Sequence, residues 1–235
     1  GYLLLLKRFK MDDNIAKAYS ALENAEAILI GASNGLSISE GYNIFADNEM
    51  FRRQFGDFRD RYGIRSVLDG VFAKHMSKED YKQYVSRLVR LWVDDYTPSA
   101  VMTDLRTIVG DKPCFVLTTN ADEHLEKAGF PAEEVWEIEG TFRDLINGDV
   151  PKNKQAQVND FLTRWHGKRI VLLELGIGSR NRLIKLPMMQ IAAREPNATY
   201  ITLNLPHEIY VPDEIASKSI ALLGDLAESL RLLRQ

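Results

Sequence analysis

Residues 27–42, AILIGASNGLSISEGY, begin as an unbroken apolar run and then change abruptly to glycine and serine. A short run of Ala, Ile and Leu that ends at glycine is typical of a strand buried on both faces. Gly31 permits a tight turn, and the hydroxyls of Ser33 and Ser37 can donate to phosphate oxygens. The segment lacks the second glycine of the dinucleotide fingerprint and the lysine of a P-loop. Alone, it predicts a strand-to-helix turn and no more than a generic anion site.

The totals predict an ordinary globular chain. Its 235 residues suit one α/β domain with a small insertion. A formal net charge of −3 indicates no general attraction to nucleic acid or to an anionic membrane. The single cysteine, Cys114, rules out an internal disulfide and a cysteine-based zinc site, and its apolar neighbours predict a buried, inert thiol. Residues 1–10 are too short to span a bilayer and are expected to form an edge strand, so we expect a cytoplasmic protein.

Apolar runs and helical patterns alternate along the chain. Helices are predicted over 13–25, 77–96, 98–109 and 158–167 and at the C-terminus, and 43–63 is expected to form a mobile flap or short helices over a cleft. Such alternation predicts a doubly wound parallel sheet covered on both faces. The runs expected to be strands lie within residues 26–33, 113–122, 133–140, 168–179, 198–205 and 219–223.

Four of the predicted strands end in small polar residues, in GASNGLS, TTNAD, GIGS and NLP. In open doubly wound sheets the ligand lies outside the carboxyl ends of the strands, so these endings together predict a dinucleotide-sized site. Each has a structural alternative: Asn120 and Asp122 as a helix cap and a first-turn acid, Glu139 as a solvated strand end, and His124 as a histidine on a helix surface. The histidines lack metal-ligand spacing, so no metal site is predicted.

In order and spacing, GASNGLSISEGY, TTNADEHLEKAGF, the Glu-Gly pair at 139–140, LELGIGS and NLP…LLGDLAESL resemble a sirtuin (Sir2-type) NAD-binding domain. The phrases VLTTNADEHLEKAGF, HGKRIVLLELGIGS and AAREPNATYITLNL are most similar to the macrodomain-linked, or class M, sirtuins. The resemblance implies one Rossmann-like Sir2 domain over 11–235, with a flap and helical insertion at 43–96. Residues 141–157 are then a linker or the remnant of a small domain that has lost its zinc ribbon.

The resemblance also implies which residues bind NAD. Asn120 and Asp122 match the Asn-x-Asp motif that orients the nicotinamide and its ribose. The residues matched to the pyrophosphate and ribose are Gly31, Ala32, Ser33, Ser37, Gly41 and Tyr42. Those matched to the adenosine half are Gly176, Ile177, Gly178, Asn204, Leu205, Asp225 and Leu226.

The departures from the family pattern bear on the chemistry. Glu139 stands where the deacetylases have a catalytic histidine and where class M sirtuins typically have glutamine, and Ser33 replaces a glycine. Near neutral pH a glutamate is a weaker general base than a histidine, so deacetylation is not expected. Cleavage of the nicotinamide–ribose bond develops positive charge, which a carboxylate at Glu139 would stabilise.

The resulting hypothesis is an NAD-dependent protein ADP-ribosyltransferase that releases nicotinamide, with Asn120, Asp122 and Glu139 as its catalytic residues. The class M resemblance implies a lipoyl-carrier-like protein as the acceptor. Two alternatives stay open. The chain could be a catalytically degenerate protein that only binds NAD or ADP-ribose, which the missing histidine and zinc module favour. It could also be an NAD hydrolase, which differs from the transferase only in using water as the acceptor.

Overall fold

The computed structural model describes residues 1–235 and contains one six-stranded, all-parallel sheet. The strands lie in the order β3-β2-β1-β4-β5-β6. This is the strand order of doubly wound dinucleotide-binding sheets, and it places the topological switch point between β1 and β4. The predicted fold class is therefore confirmed. The strands are β1 (Ala27–Ala32), β2 (Cys114–Thr118), β3 (Val135–Glu137), β4 (Ile170–Leu175), β5 (Thr199–Asn204) and β6 (Ser219–Leu223).

Helices cover both faces of the sheet and form a further layer at one side. The α-helices are α1 (Tyr2–Asn24), α2 (Asn34–Ser39), α3 (Glu49–Tyr62), α4 (Val67–Val71), α5 (Lys78–Val89), α6 (Ala100–Val109), α7 (His124–Lys127), α8 (Phe142–Asn147), α9 (Gln155–Arg164), α10 (Lys185–Arg194) and α11 (Leu226–Leu233). A π-helical turn at Arg90–Asp94 continues α5, and 3-10 turns occupy Ala132–Glu134, Pro206–Glu208 and Asp213–Lys218.

Alternating side chains of the buried strands belong to two different hydrophobic cores, one on each face of the sheet. From β1, Ile28 and Ile30 join the core beneath α1, α6 and α11, whereas Leu29 joins the core beneath α9 and α10. All six residues of β1 are buried, as a strand covered on both faces requires. The near-continuous apolar pattern of the central strands is thus explained by two helical layers.

The N-terminal prediction is wrong. Residues 1–10 were expected to form an edge strand, but Tyr2–Asn24 is one continuous helix whose first turns are exposed. Leu, Lys, Arg and Met are good helix formers, and no glycine or proline interrupts the segment before the amphipathic pattern at Ile15. The helix is held beside the edge strand β6, where the Asn14 Nδ2 group donates to the Ala221 carbonyl oxygen (3.2 Å).

No helix of the structure, α1 included, combines the length and the apolar character that a membrane span needs.

Residues 43–96 carry a third core of their own. In α3, Phe51, Phe55 and Phe58 recur at helical spacing and pack against Tyr84 and other apolar side chains of α5. The side chain of Asn48 caps α3 by accepting the Phe51 N–H (2.9 Å). This segment is therefore a packed helical layer beside the carboxyl edge of the sheet.

One fully buried ion pair fixes α10 on the sheet. Lys185 Nζ lies 2.7 Å from Glu174 Oε1, and both side chains are almost completely excluded from solvent. The Glu174 carboxylate also accepts the Thr202 hydroxyl (3.0 Å) and the Tyr200 hydroxyl. A buried charge is tolerated only with such partners, because leaving water costs several kcal/mol per ion.

Replacing Lys185 by Met should lower the free energy of unfolding by about 3–5 kcal/mol, because Glu174 would stay buried without a counter-charge. Urea unfolding at neutral pH measures the loss. The matched double variant Lys185→Met/Glu174→Gln removes both charges and keeps an acceptor for Tyr200 and Thr202, so it should recover most of the stability. Equal instability of the single and double variants would show that the ion pair is not the cause.

Candidate functional site

A cavity of about 600 Å³ opens at the carboxyl ends of β1, β4, β5 and β6. It therefore lies at the switch point of the sheet, where open α/β folds bind their ligands, and its size lies within the range of small-molecule sites. Most of its walls are turns. The lining residues are Ser33, Asn34, Gly35, Ile38, Ser39, Phe45, Gly176, Gly178, Asn204, Leu205, His207, Glu208, Gly224, Asp225 and Leu226.

The floor of the cavity is a direct contact between two glycines. The Gly35 N–H donates to the Gly176 carbonyl oxygen (3.1 Å). A Cβ on Gly35 would lie 2.6 Å from the Gly176 Cα, and a Cβ on Gly176 would lie 2.6 Å from the Gly35 Cα. Gly176 also has a φ of +62°, which favours glycine. Since neither residue has a side chain, the turns after β1 and β4 meet backbone to backbone and leave the space above them open.

Gly35 is not among the cofactor residues predicted from the sequence. The fingerprint predicts the second glycine at position 33, where Ser33 stands, but the close approach is made two residues later. The signal that could have revealed it is a glycine in the first turn of the helix that follows a buried strand, because a residue without a side chain there lets two backbones meet.

About half of the cofactor residues predicted from the resemblance line the cavity. They are Ser33, Gly176, Gly178, Asn204, Leu205, Asp225 and Leu226. Gly31 instead makes room for Ile184 and Met188, which occupy the position of its missing Cβ. Ala32 and Ile177 are buried, and Asn204 Nδ2 donates to the Ile177 carbonyl oxygen (2.9 Å). Gly41 and Tyr42 lie after α2, outside the lining.

The structure brings together the polar segments that follow β1 and β2. Asn120 Nδ2 donates to the Ser33 carbonyl oxygen (3.0 Å), and the Ser37 hydroxyl donates to Asp122 Oδ2 (2.6 Å). The hydroxyl oxygens of Ser33 and Thr119 are 2.8 Å apart. Asn120 and Asp122 are buried and do not line the cavity, but Asn120 is hydrogen-bonded to a residue that does.

His124 lies in a buried polar network behind Asp122. The alternative that it is a surface histidine is wrong, since it is 1% exposed and its ring stacks on Tyr96 at 3.5 Å. Its Nε2 lies 2.8 Å from the Trp92 carbonyl oxygen, and its Nδ1 lies 2.8 Å from Glu40 Oε1. α7 begins at this residue and is only four residues long, so His124 turns into the helical layer instead of lying along a solvated face.

These contacts favour the charged form of His124. The carbonyl oxygen of Trp92 can only accept, so Nε2 carries a proton. Glu40 also accepts the hydroxyls of Ser99 (2.5 Å) and Tyr96, both at Oε2, so its Oε1 is left to His124 Nδ1. Burial alone would lower the pKa of His124, but the hydrogen bond to Glu40 and the charges of Asp122 and Glu40 raise it above its ordinary value.

The third predicted catalytic residue differs from the other two in its exposure to solvent. Glu139 is exposed just after β3 and is not part of the cavity lining. The partly buried acid at this edge is Glu137, which faces Glu126. Burial and the neighbouring Glu126 raise the pKa of Glu137 to about 9, so this carboxyl holds a proton at neutral pH. No local pattern could have revealed this pair, because the two residues meet only through the fold.

Two arginines of residues 43–63 form ion pairs with an aspartate of the same segment. Arg59 and Arg52 lie 2.9 and 3.1 Å from the Asp47 carboxylate, and their hydrogen bonds hold its pKa well below the usual range. Arg53 is exposed. Arg52 and Arg59 thus brace the loop that precedes α3.

The substitution Gly35→Ala should destabilise the protein, because its Cβ would collide with the backbone of Gly176. We expect a loss of about 1–3 kcal/mol, as for overpacking in a core, measured by thermal unfolding. The matched control is Gly56→Ala in α3, where a Cβ meets nothing within 4 Å. That change should leave the stability equal or raise it by about 0.5–1 kcal/mol. Equal effects of the two substitutions would contradict the contact argued above.

The raised pKa of His124 should make the stability of the protein depend on pH. Its folded pKa is raised, so its contribution is complete below the unfolded value of about 6.5 and is lost as the pH rises through the folded pKa. Free energies of unfolding measured from pH 6 to pH 9 should fall more steeply for the wild type than for His124→Gln. Parallel pH profiles would show that the histidine is neutral in the fold.

No protein-family model matches this chain. A protein of Staphylococcus aureus named Protein ADP-ribosyltransferase is 25% identical over an alignment of 264 residues, which covers 88% of this chain and 83% of that protein. A solved structure from work on the mechanism and regulation of Sir2 enzymes covers 94% of this chain and 96% of its own. Its TM-score is 0.54 and its sequence identity 14%. The chain therefore has the fold of the Sir2 enzymes.

Proposed function

We propose that the cavity binds NAD and that the protein is an NAD-dependent protein ADP-ribosyltransferase that releases nicotinamide. The observation that carries the proposal is the glycine-floored cavity at the switch point of a Sir2-like sheet. Beside this cavity, the segments that follow β1 and β2 are joined by hydrogen bonds from Asn120 to Ser33 and from Ser37 to Asp122. The similarity to a relative named as an ADP-ribosyltransferase supports the reaction class.

The residues present fit a dinucleotide. The floor at Gly35 and Gly176 has no side chains, so a diphosphate can approach the backbone closely there. The Ser33 side chain adds a hydroxyl at the same place. Of the residues expected at the adenosine half, all except the buried Ile177 form other walls of the same cavity. A Cβ at either glycine would collide with the backbone of the other turn and break the floor apart.

The reaction breaks the bond between C1′ of the ribose and the nicotinamide nitrogen, and nicotinamide leaves with the bonding electron pair. A nucleophilic side chain of the acceptor then bonds to C1′ and loses its proton. Asp122 is fixed beside the two strand endings by Ser37, and a carboxylate there would stabilise the positive charge that develops on the ribose. Glu139, exposed at the same edge, would take the proton from an acceptor that arrives from solvent.

For the acceptor we retain the lipoyl-carrier-like protein that the class M resemblance implies. The exposure of Glu139 suits a macromolecular acceptor, because a folded partner reaches only groups at the protein surface.

A binding protein without turnover is the second candidate. Asn120 and Asp122 have hydrogen-bond partners within the chain and lie outside the cavity lining, and Glu139 lies outside it as well. Because none of the three predicted catalytic residues lines the cavity, this arrangement favours a protein that binds NAD or ADP-ribose without turning it over. Hydrolysis shares the bond cleavage of the transferase and differs only in the acceptor.

Thermal unfolding with and without NAD tests binding first. An NAD concentration of about 100 times the dissociation constant should raise the free energy of unfolding by about 2.7 kcal/mol. No rise in melting temperature at millimolar NAD would reject the whole proposal.

Nicotinamide release, followed by chromatography, tests turnover. With a lipoyl-carrier protein present, the wild type should release nicotinamide and label the carrier, and Asn120→Ala should be slower by about 10²–10³-fold. Glu139→Gln should reduce transfer, whereas the control Glu134→Gln should not. Release without labelling would identify a hydrolase, and NAD binding without release would identify the binding protein.

A further inference from the structure

The backbone between Asp122 and His124 is strained. Glu123 has a φ of +57° and a ψ of +17°, and it is the one residue other than glycine in the chain that has a positive φ. A side chain with a Cβ is disfavoured in this left-handed conformation, which persists only where the surrounding structure holds it. Residues held in this way cluster at functional sites. The contacts that hold Glu123 therefore bear on the residues beside it.

His124 holds this turn from one side. Its Nε2 donates to the carbonyl oxygen of Trp92 (2.8 Å), which lies in the π-helical turn Arg90–Asp94. The last carbonyl groups of a helix have no partner within the helix, so a donor from another element can engage them. The Nδ1 of His124 lies 2.8 Å from Glu40 Oε1. Its backbone N–H donates to Asp122 Oδ1 (3.2 Å), so the anchored ring and the carboxylate of Asp122 belong to one rigid unit.

Arg143 holds the turn from the other side. Its Nε lies 3.3 Å from Glu123 Oε2, and its Nη2 lies 2.7 Å from Asp94 Oδ1. Asp94 belongs to the same π-helical turn as Trp92. Both tethers therefore run from the strained turn to one short segment of the helical layer, and π-helical turns are frequent at functional sites.

The tethered turn also reaches the cavity. Asp122 Oδ2 accepts the Ser37 hydroxyl (2.6 Å), and Asn120 Nδ2 donates to the carbonyl oxygen of Ser33 (3.0 Å), a residue of the cavity lining. If Glu123 changed to an ordinary negative φ, the chain would leave Asp122 in another direction. The carboxylate could then no longer meet both the Ser37 hydroxyl and the backbone N–H of His124. The conformation of Glu123 thus fixes the segment that joins the two strand endings.

We infer that His124 is a positioning residue that keeps Glu123 in its left-handed conformation and thereby fixes Asn120 and Asp122 beside the cavity. This rests on the proposed binding of NAD, and it adds a residue that acts through others. Arg143 is the weaker second tether, because its side chain is 43% exposed and solvent weakens its ion pairs. Without the tethers the turn relaxes, and the apparent affinity for a ligand falls with the fraction of molecules that keep the turn in place.

Isothermal titration of the full chain with NAD tests the inference. His124→Gln should raise the dissociation constant about tenfold, because the ring no longer anchors the turn and the strain at Glu123 remains. Adding Glu123→Gly should return the dissociation constant to within about threefold of the wild type, because glycine adopts a left-handed φ without strain and needs no tether. Adding the stabilising substitution Gly56→Ala to His124→Gln should not restore binding, since it acts on α3 and leaves the turn strained.

Two further variants make the result specific. His166 forms a similar pair with Glu195 (2.6 Å) just before β4, at the opposite edge of the sheet, so His166→Gln should leave NAD affinity unchanged. Arg143→Ala removes the exposed tether without opening a core, so it tests the turn even where His124→Gln does not fold. It should raise the dissociation constant about threefold, and it should have no further effect once Glu123→Gly has removed the strain.

The outcomes separate the two proposals. Unchanged affinity in a folded His124→Gln, or in Arg143→Ala where His124→Gln does not fold, would overturn the positioning role and leave NAD binding intact. A loss of affinity that Glu123→Gly does not restore would do the same. Failure of the wild type to bind NAD would reject the proposed function itself, and the positioning role with it.

Discussion

The site depends on the backbone contact between Gly35 and Gly176. It joins the exits of β1 and β4, the two strands on either side of the switch point, and a side chain at either position would push them apart. All else at the carboxyl edge is arranged around this contact. The strand order opens a crevice here, the two glycines keep its floor free of side chains, and the turns after β5 and β6 close its far end.

Buried charge fixes the elements on both sides of that floor. Behind β4 and β5, the pair Lys185–Glu174 holds α10. Behind α2, the pair His124–Glu40 connects the helical layer to the segment that contains Asp122. Such pairs add little net stability over apolar packing, because both partners lose their hydration. Their geometry is demanding, however, and each holds its elements in one relative position.

Much of the fold could be predicted from local patterns. The buried strands, their parallel arrangement and the amphipathic helices follow from apolar periodicity, which depends only on residues close in sequence. The N-terminal strand was predicted wrongly because a short run of leucines fits a strand or a helix equally well. The sequence around it, free of glycine and proline as far as Asn24, supports the helix.

The sequence by itself determined the individual strands and helices and the small polar residues at the strand ends, because these are properties of contiguous segments. Only the tertiary structure decided which of those residues share a space. It placed Gly35 on Gly176, buried His124 against Glu40, left Glu139 in solvent and set Glu208 at the cavity wall. The physical reason is that charge, burial and close approach depend on partners far apart in the chain, and no local pattern encodes a contact between turns that are more than a hundred residues apart.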